Sequence, residues 1–592
     1  MTEPLFLESD PDPERRTVVL SAWAIVIAVL AALAGHFLTR LIGLITNIAF
    51  YGRIDAGFMP PWAHQLGVFV ILVPVIGGLI VGVMARWGSA AIRGHGIPEA
   101  MEQVLLNESR ISPKVLVLKP LSAAISIGTG GPFGAEGPII ATGGALGSVL
   151  GQLLHISADE RKVLLAAGAA AGMAAIFSAP VSAVLLAVEL LLFEYRPRSL
   201  IPVSLAAATA TGVRIAFEGM GSVFPMPQLA SPTQLALVSY VLIGVLAGIA
   251  GVVITRLLFA VEDGFEHLPV HWMWWPAIGG LVVGVVGYFA PRTLGVGYEN
   301  ITDILNGKLV GTALAVLVVL KLASWLIALG SGTSGGTLAP VMTIGGGIGA
   351  LAGGWLAAAA PAAGVDPRIA GLVGMAATFA GASHALLASV VFAFEVTRQP
   401  LGLLPLLAGC SAAYLVSILT MEHSIMTEKL ARRGTRVHRD YGVDWLTQVG
   451  VEEIATREVV TLHRARSVAE VREWLASDAG PAAHQGFPVV DDTGELVGVL
   501  TRRDLLRREV NTASPIGDLL QRPPYVVPDD ASARDAADLM AATQVGRLPV
   551  VKRDAPREMI GIVTRSDLLA AHERRLAAGR RVTPLLGRKR RG

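Results

Sequence analysis

Residues 129–151 read TGGPFGAEGPIIATGGALGSVLG, from Thr129 to Gly151, and residues 331–353 read SGTSGGTLAPVMTIGGGIGALAG, from Ser331 to Gly353. Both stretches are apolar, rich in glycine and interrupted by proline, and they superpose at an offset of 202. Gly130 falls on Gly332, Gly134 on Gly336 and Pro138 on Pro340; Gly143, Gly144, Gly147 and Gly151 fall on Gly345, Gly346, Gly349 and Gly353. A weaker echo follows at an offset of 206, with Gly168 on Gly374 and Glu189 on Glu395. A shared register of proline and glycines points to an internal duplication, near residues 18–217 and 234–430. The number of spans decides whether the halves are inverted, and the sequence leaves that open.

The surroundings of these stretches are those of a membrane protein. The chain has 592 residues, 53 % of them hydrophobic and 16 % charged, with a mean hydropathy of +0.58. A soluble domain carries roughly 25 % charged residues. Apolar runs near the spanning length of about 20 residues extend from Val18 to Leu38, Leu66 to Ala85, Leu235 to Ala260, Met273 to Ala290, Gly311 to Leu329 and Leu401 to Leu419. Arg15 and Arg16 flank the first run, which reads as an uncleaved helix with a cytoplasmic N-terminus. Irregular backbone at membrane depth survives only inside protein or beside a water-filled cavity, and broken helices of this kind mark substrate sites in transporters.

The charge is unevenly placed: of 94 charged residues, 49 follow Leu430. The chain therefore reads as an all-α polytopic membrane domain followed by a cytoplasmic α/β module. We assign residues 1–17 to a cytoplasmic segment, 18–432 to the membrane domain, 433–446 to a linker, 447–510 and 515–573 to a repeated unit, and 574–592 to a basic tail. The glycines carry no G-X-Y period, which excludes collagen, and the hydrophobicity excludes a disordered chain. A net charge of +2 argues against a nucleic-acid partner, and the single Cys410 rules out an internal disulfide framework and a cysteine-based zinc site.

Three stretches carry the chemistry: Gly94-His95-Gly96-Ile97-Pro98-Glu99, Gly134-Ala135-Glu136-Gly137-Pro138 and Gly336-Thr337-Leu338-Ala339-Pro340. In each, small residues precede a proline and then an apolar helical run, and proline suits the first turn of a helix. Each stretch thus reads as a helix N-terminus inside the bilayer, with free N–H groups and a positive dipole end facing the break. Such ends meeting at one point bind an anion without a buried cation, whose full charge would hold the ion too tightly for release.

At these residues the chain resembles the CLC family of chloride channels and proton-coupled chloride transporters, whose GSGIP, GREGP and GxFxP motifs occur in this order. The resemblance covers about residues 18–432. It implies a homodimer in the cell membrane, multi-pass, with both termini cytoplasmic and one anion path per subunit; it implies no enzyme and no required cofactor. Glu136 matches the family's gating glutamate. A carboxylate is itself an anion, so Glu136 can occupy the site until protonation or displacement clears it. The anion contacts implied are His95, Gly96, Ile97, Ala135, Gly137, Leu338, Ala339 and Met426.

This sequence departs from the pattern at several of them. His95 stands in place of the family's serine; it either donates to the anion from a ring nitrogen or turns away and leaves the Gly96 and Ile97 N–H groups. Ala135 replaces the arginine of GREGP, and Leu338 the phenylalanine of GxFxP. The tyrosine that closes the inner end of the family's pore aligns with Met426. The internal glutamate of proton-coupled members aligns with Leu190, which favours a channel or uncoupled carrier over an exchanger. Glu189 and Glu194 are candidate substitute acids, with a structural carboxylate as the other reading of Glu189.

The polar tail repeats one unit. Gly486-Phe487-Pro488-Val489-Val490 and Gly498-Val499-Leu500-Thr501-Arg502-Arg503-Asp504 are echoed by Leu548-Pro549-Val550-Val551 and Gly561-Ile562-Val563-Thr564-Arg565-Ser566-Asp567. Amphipathic helices precede them, Ser467 to Ser477 and Ala531 to Thr543. The unit resembles tandem CBS domains, a regulatory module. In that family Thr501, Asp504, Thr564 and Asp567 would hold the ribose and phosphate of an adenine nucleotide (ATP, ADP or AMP). The other reading is that both aspartates cap the helices that follow. Arg502, Arg503 and Arg565 are candidate phosphate contacts. The closing Arg588-Lys589-Arg590-Arg591 is a candidate contact to anionic lipid headgroups.

Two other functions fit less of the chain. An intramembrane zinc protease needs HExxH or an equivalent, and His36, His64 and His95 are scattered. A divalent-cation transporter with a CBS sensor needs acids facing a pore, whereas the broken segments offer N–H donors. We therefore expect transport of chloride or a similar anion across the bilayer, gated by Glu136.

Overall fold

The computed structural model describes residues 13–154, 156–435, 445–447, 449–477 and 480–580. The chain divides into two compact units, residues 13–441 and residues 442–592 with the first twelve. The basic run Arg588-Lys589-Arg590-Arg591, most of the proposed linker and the first twelve residues lie outside the described residues.

The first unit is helical. Among the described residues, eight helices are long and apolar enough to cross a membrane. The six apolar runs picked out above coincide with six of them to within one residue at the ends that overrun. The other two are Pro197–Glu218 and Leu338–Ala359. Pro197–Glu218 hides in the sequence because Pro202, Arg198 and Arg214 interrupt its apolar pattern. In the second broken stretch the break is confined to the residues before Leu338, and the glycines after it are helical. Those glycines serve close packing: a Cβ on Gly345 would lie 2.6 Å from the Gly374 carbonyl oxygen, and one on Gly143 would lie 2.1 Å from that of Gly168. Small residues at helix contacts are how membrane helices gain dispersion contact without a hydrophobic driving force.

The duplication is an inverted one. Helices Leu72–Trp87 and Trp275–Phe289 occupy equivalent places in the two halves. Gly78 packs on the Pro276 carbonyl and Gly82 on that of Met273, while Gly280 packs on Pro74 and Gly284 on Ile71. Partner numbers fall as helix numbers rise, so equivalent helices run antiparallel about a two-fold axis. Two buried lysines obey the same axis. Lys119 Nζ donates to the carbonyls of Ile92 and Gly94, both at 2.8 Å. Lys321 Nζ donates to those of Thr293 at 2.9 Å and Gly295 at 2.8 Å.

The second unit holds two small sheets of one design. Leu462–His463 pairs parallel with Gly486–Val490, which pairs antiparallel with Leu496–Thr501. Val527–Pro528, Arg547–Val551 and Met559–Thr564 repeat the arrangement. The amphipathic helices are Val468–Ala476 and Ala533–Thr543, each started by a serine whose hydroxyl accepts an N–H three residues on. Their apolar faces pack on the sheets through Val468, Val471 and Leu475 in one copy and Ala536, Leu539 and Met540 in the other.

Candidate anion pathway

Three helices of the membrane unit begin at the breaks: Ile97–Leu106, Glu136–Leu153 and Leu338–Ala359. Their N-termini meet. The Gly134 N–H donates to the Gly336 carbonyl at 3.2 Å, and the Gly336 N–H donates back to Gly134 at 2.9 Å. The Gly94 N–H reaches the Thr333 carbonyl at 3.3 Å, and the Gly335 N–H reaches Gly94 at 3.4 Å. Glycine is required where these backbones cross. Gly96 has a φ of +95°, and a Cβ there would lie 2.5 Å from the Gly137 carbonyl oxygen; one on Gly137 would lie 2.0 Å from that of His95. The structure thus brings His95, Gly96, Ile97, Ala135, Gly137, Leu338 and Ala339 to the meeting region as buried residues.

Glu136 is fully buried at this convergence. Its Oε1 accepts the hydroxyl of Tyr298 at 2.8 Å, while Oε2 is buried without a hydrogen-bond partner. The carboxylate folds back over its own helix start, where a Cβ on Gly134 would lie 1.6 Å from Oε2 and one on Gly336 would lie 2.9 Å away. A carboxylate lying among the donors at a helix start competes for that place with any other anion.

Tyr298 escaped the sequence reading. It opens the helix Tyr298–Leu305 after Gly297, which has a φ of +78°. Its ring lies 5.9 Å from that of Phe177 and 5.8 Å from that of Phe224. The duplication carried the signal. Gly295-Val296-Gly297-Tyr298-Glu299 lies 201 positions after Gly94-His95-Gly96-Ile97-Pro98, and Lys119 and Lys321 clamp the two loops alike. The tyrosine missing at Met426 has no bearing on this one.

Several of the candidate residues have partners within the protein. The Gly96 N–H donates to Glu99 Oε2 at 2.7 Å, so Glu99 has taken the donor assigned to an anion. Glu189 is a helix cap: its carboxylate accepts the N–H groups of Leu387 and Ala388, both at 3.1 Å. Glu395 does the same for Val181 at 3.0 Å and Ser182 at 2.8 Å, the same contacts moved by 206 positions. Glu194 accepts the Ser199 hydroxyl at 2.6 Å and lies 3.7 Å from Arg196.

His95 is 2 % exposed and its Nδ1 has no hydrogen-bond partner. Met426 lies in the apolar core, its N–H on Ser424 Oγ at 3.3 Å. Ser424, Leu190, Glu189 and Met101 line a cavity of about 1270 Å³.

In the second unit, the Thr501 hydroxyl and N–H both donate to Asp504 Oδ2, at 2.6 and 3.0 Å, and the Asp504 N–H returns to Thr501 Oγ1 at 3.2 Å. Thr564 and Asp567 repeat this at 2.7, 2.8 and 3.4 Å. These are capping boxes, closing the helices that start at Arg502 and Arg565. Arg502 donates to the carbonyl of Ala482 at 3.0 Å, and Arg565 to that of Val545 at 3.2 Å.

The family model described as voltage gated chloride channel matches residues 76–418. The chain belongs to that family. The CBS domain model matches twice more, at residues 451–511 and 516–574. Among curated relatives, the chloride channel protein CLC-f of Arabidopsis thaliana is 28 % identical over 82 % of this chain and 70 % of its own. The H(+)/Cl(-) exchange transporter ClcA of Vibrio parahaemolyticus is 30 % identical over 57 % of this chain and 74 % of its own. A solved slow cyanobacterial Cl-/H+ antiporter shares the fold, with a TM-score of 0.61 at 22 % identity, over 72 % of this chain and 98 % of that one. The family thus spans proteins named as channels and as exchangers. The chain is a multi-pass membrane protein of that family with tandem CBS domains.

Proposed function

We propose that the protein carries chloride or a similar small inorganic anion across the membrane, without coupled protons, by a path that Glu136 gates. The observation that carries this is the Glu136 carboxylate buried where three helix N-termini meet. N–H groups and dipole ends suit an anion there, and the carboxylate is the anion in place. Displacing or protonating it frees the site. Uncoupled passage is supported by apolar Leu190 and by the engagement of Glu189 with Leu387 and Ala388. The chain is proposed to act as a homodimer with one path per subunit and both termini cytoplasmic. Its CBS pair is proposed as a regulatory module, with an adenine nucleotide as the ligand to test.

The experiment is chloride efflux from liposomes holding the purified protein, with external pH recorded together. Chloride efflux with no proton movement is expected. Protons driven against their gradient would make it an exchanger, and flux that requires a divalent cation would overturn the anion reading.

A further inference from the structure

A second cavity, of about 400 Å³, lies beside the gate. It shares no lining residue with the larger cavity around Leu190. Ala135, next to Glu136 in the chain, and Tyr298, which holds the Glu136 carboxylate, form part of its wall. The first helix, Pro13–Thr46, contributes His36 and Arg40; the helix Pro197–Glu218 contributes Arg214 and Glu218. Ala135 brings no charge, so the cations of this cavity come from two other helices. Two arginines stand against one glutamate, which leaves a net positive lining beside a gate that is itself anionic.

The arginine side chain nearest to burial is incompletely satisfied. Arg214 is 12 % exposed, and its Nη2 pairs with Glu218 at 2.8 Å one turn along the same helix. Its Nε is buried with no hydrogen-bond partner. His36 stacks on Phe217 with ring centroids 4.8 Å apart, and its Nδ1 is buried and also without a hydrogen-bond partner, 3.9 Å from Glu218. A buried unpaired donor costs about 1–3 kcal/mol, a cost that an acceptor lodged beside Arg214 would offset. Ionisable groups on an apolar spanning helix that face a cavity mark ion paths. A positively lined pocket with low-dielectric walls also concentrates anions.

We propose that this cavity is a second anion station, in which Arg214, with Arg40 at its rim, holds a monovalent inorganic anion passing to or from Glu136. The proposal rests on the reading of the chain as an anion path, and it adds a site outside the three helix N-termini. Glu218 keeps the net charge of the station low, so the ion is held without being trapped.

The test is anomalous diffraction from crystals of the full-length protein grown in bromide, with Arg214→Gln alongside. A bromide peak within hydrogen-bond distance of Arg214 that vanishes in Arg214→Gln is expected. No peak beside Arg214, whatever is seen at the three N-termini, overturns the station. Liposome flux supplies a readout that a structural role would not move. Arg214→Gln should raise the half-saturating chloride about tenfold from the side on which this cavity opens, and leave the other side unchanged. Arg214→Lys should restore most of it, and Arg40→Gln, at an exposed position, should give a smaller shift on the same side. An equal change from both sides would reduce Arg214 to a support of the fold and reject the proposal. A protein that moves no anion yet shows bromide beside Arg214 would overturn the transport reading and keep the station.

Discussion

Tyr298 donates its hydroxyl to Oε1 of Glu136 at 2.8 Å, although the two residues stand 162 positions apart. The bond holds the carboxylate against the helix starts. Tyr298→Phe removes one charge-assisted hydrogen bond of about 1.5–3 kcal/mol and leaves the aromatic packing with Phe177 and Phe224 in place. The expected outcome is a chloride efflux about tenfold faster at neutral pH, with a modest fall in melting temperature from the lost bond. A rate equal to that of the unaltered protein would show that Tyr298 does not restrain the gate.

Glu136→Ala should leave anion flux intact and abolish its regulation by pH. In the unaltered protein, protons neutralise a carboxylate that competes with the anion, so flux should rise as pH falls. The variant should give a flat profile. A variant that stays closed to chloride would contradict the gating role.

Lys119 and Lys321 each clamp two loop carbonyls under a break. Lys119→Met and Lys321→Met leave those carbonyls unpaired in the interior, at about 3 kcal/mol each. Both variants should melt lower by similar amounts, and Lys119→Met should also weaken chloride binding measured by calorimetry, since Gly94 borders the meeting helix starts. A large effect in one and none in the other would break the symmetry argument.

Glu189→Gln and Glu395→Gln should behave alike. Each removes the charge from a helix cap, worth about 1 kcal/mol, and neither should alter proton movement during chloride efflux. A change in proton movement confined to Glu189→Gln would restore it as an internal acid.

In the CBS pair, Asp504→Ala and Asp567→Ala each lose a capping box and should lower the stability of that unit by about 1 kcal/mol. Binding of ATP to the full-length protein, followed by calorimetry, tests the ligand: weaker binding in both variants supports a nucleotide site, and unchanged binding assigns the aspartates to capping alone. Acid sensitivity in this unit has a named contributor. Arg553 beside Asp530 holds that carboxyl below the ordinary carboxylate range. A lowered carboxylate stabilises above its unfolded pKa of about 3.9, and the gain is lost as pH falls below that. The pair is exposed, so Arg553→Ala should cost at most about 0.5 kcal/mol at pH 7 and less as the pH falls through the lowered Asp530 pKa.

Much of the site was legible because its signals are local. A proline following small residues marks a helix start wherever it occurs, and three such starts did form. Gly96 shows where that logic stops: the motif supplied the right loop, but Glu99, three residues on, already accepts its N–H. Thr501 and Asp504 show the same from the other side, since a capping box and a ribose contact use the same two residue types at the same spacing. Tyr298 was hidden because the glycine register of the repeat is dense only from Gly130 onward, while its twin loop lies upstream at Gly94.

The sequence by itself determined the class: apolar runs of spanning length, a duplicated glycine register, three helix starts and a polar tail made of two copies. These are properties of neighbouring residues, and local sterics and hydrophobicity dictate them. Tertiary structure alone decided that the halves are inverted, that Glu189 caps the helix carrying Glu395 while Glu395 caps the helix just before Glu189, and that Tyr298 holds Glu136. Each depends on which helix ends come together across some 160 to 215 positions. Packing of glycine faces brings those ends together, and a hydrogen bond forms only with the partner that packing delivers.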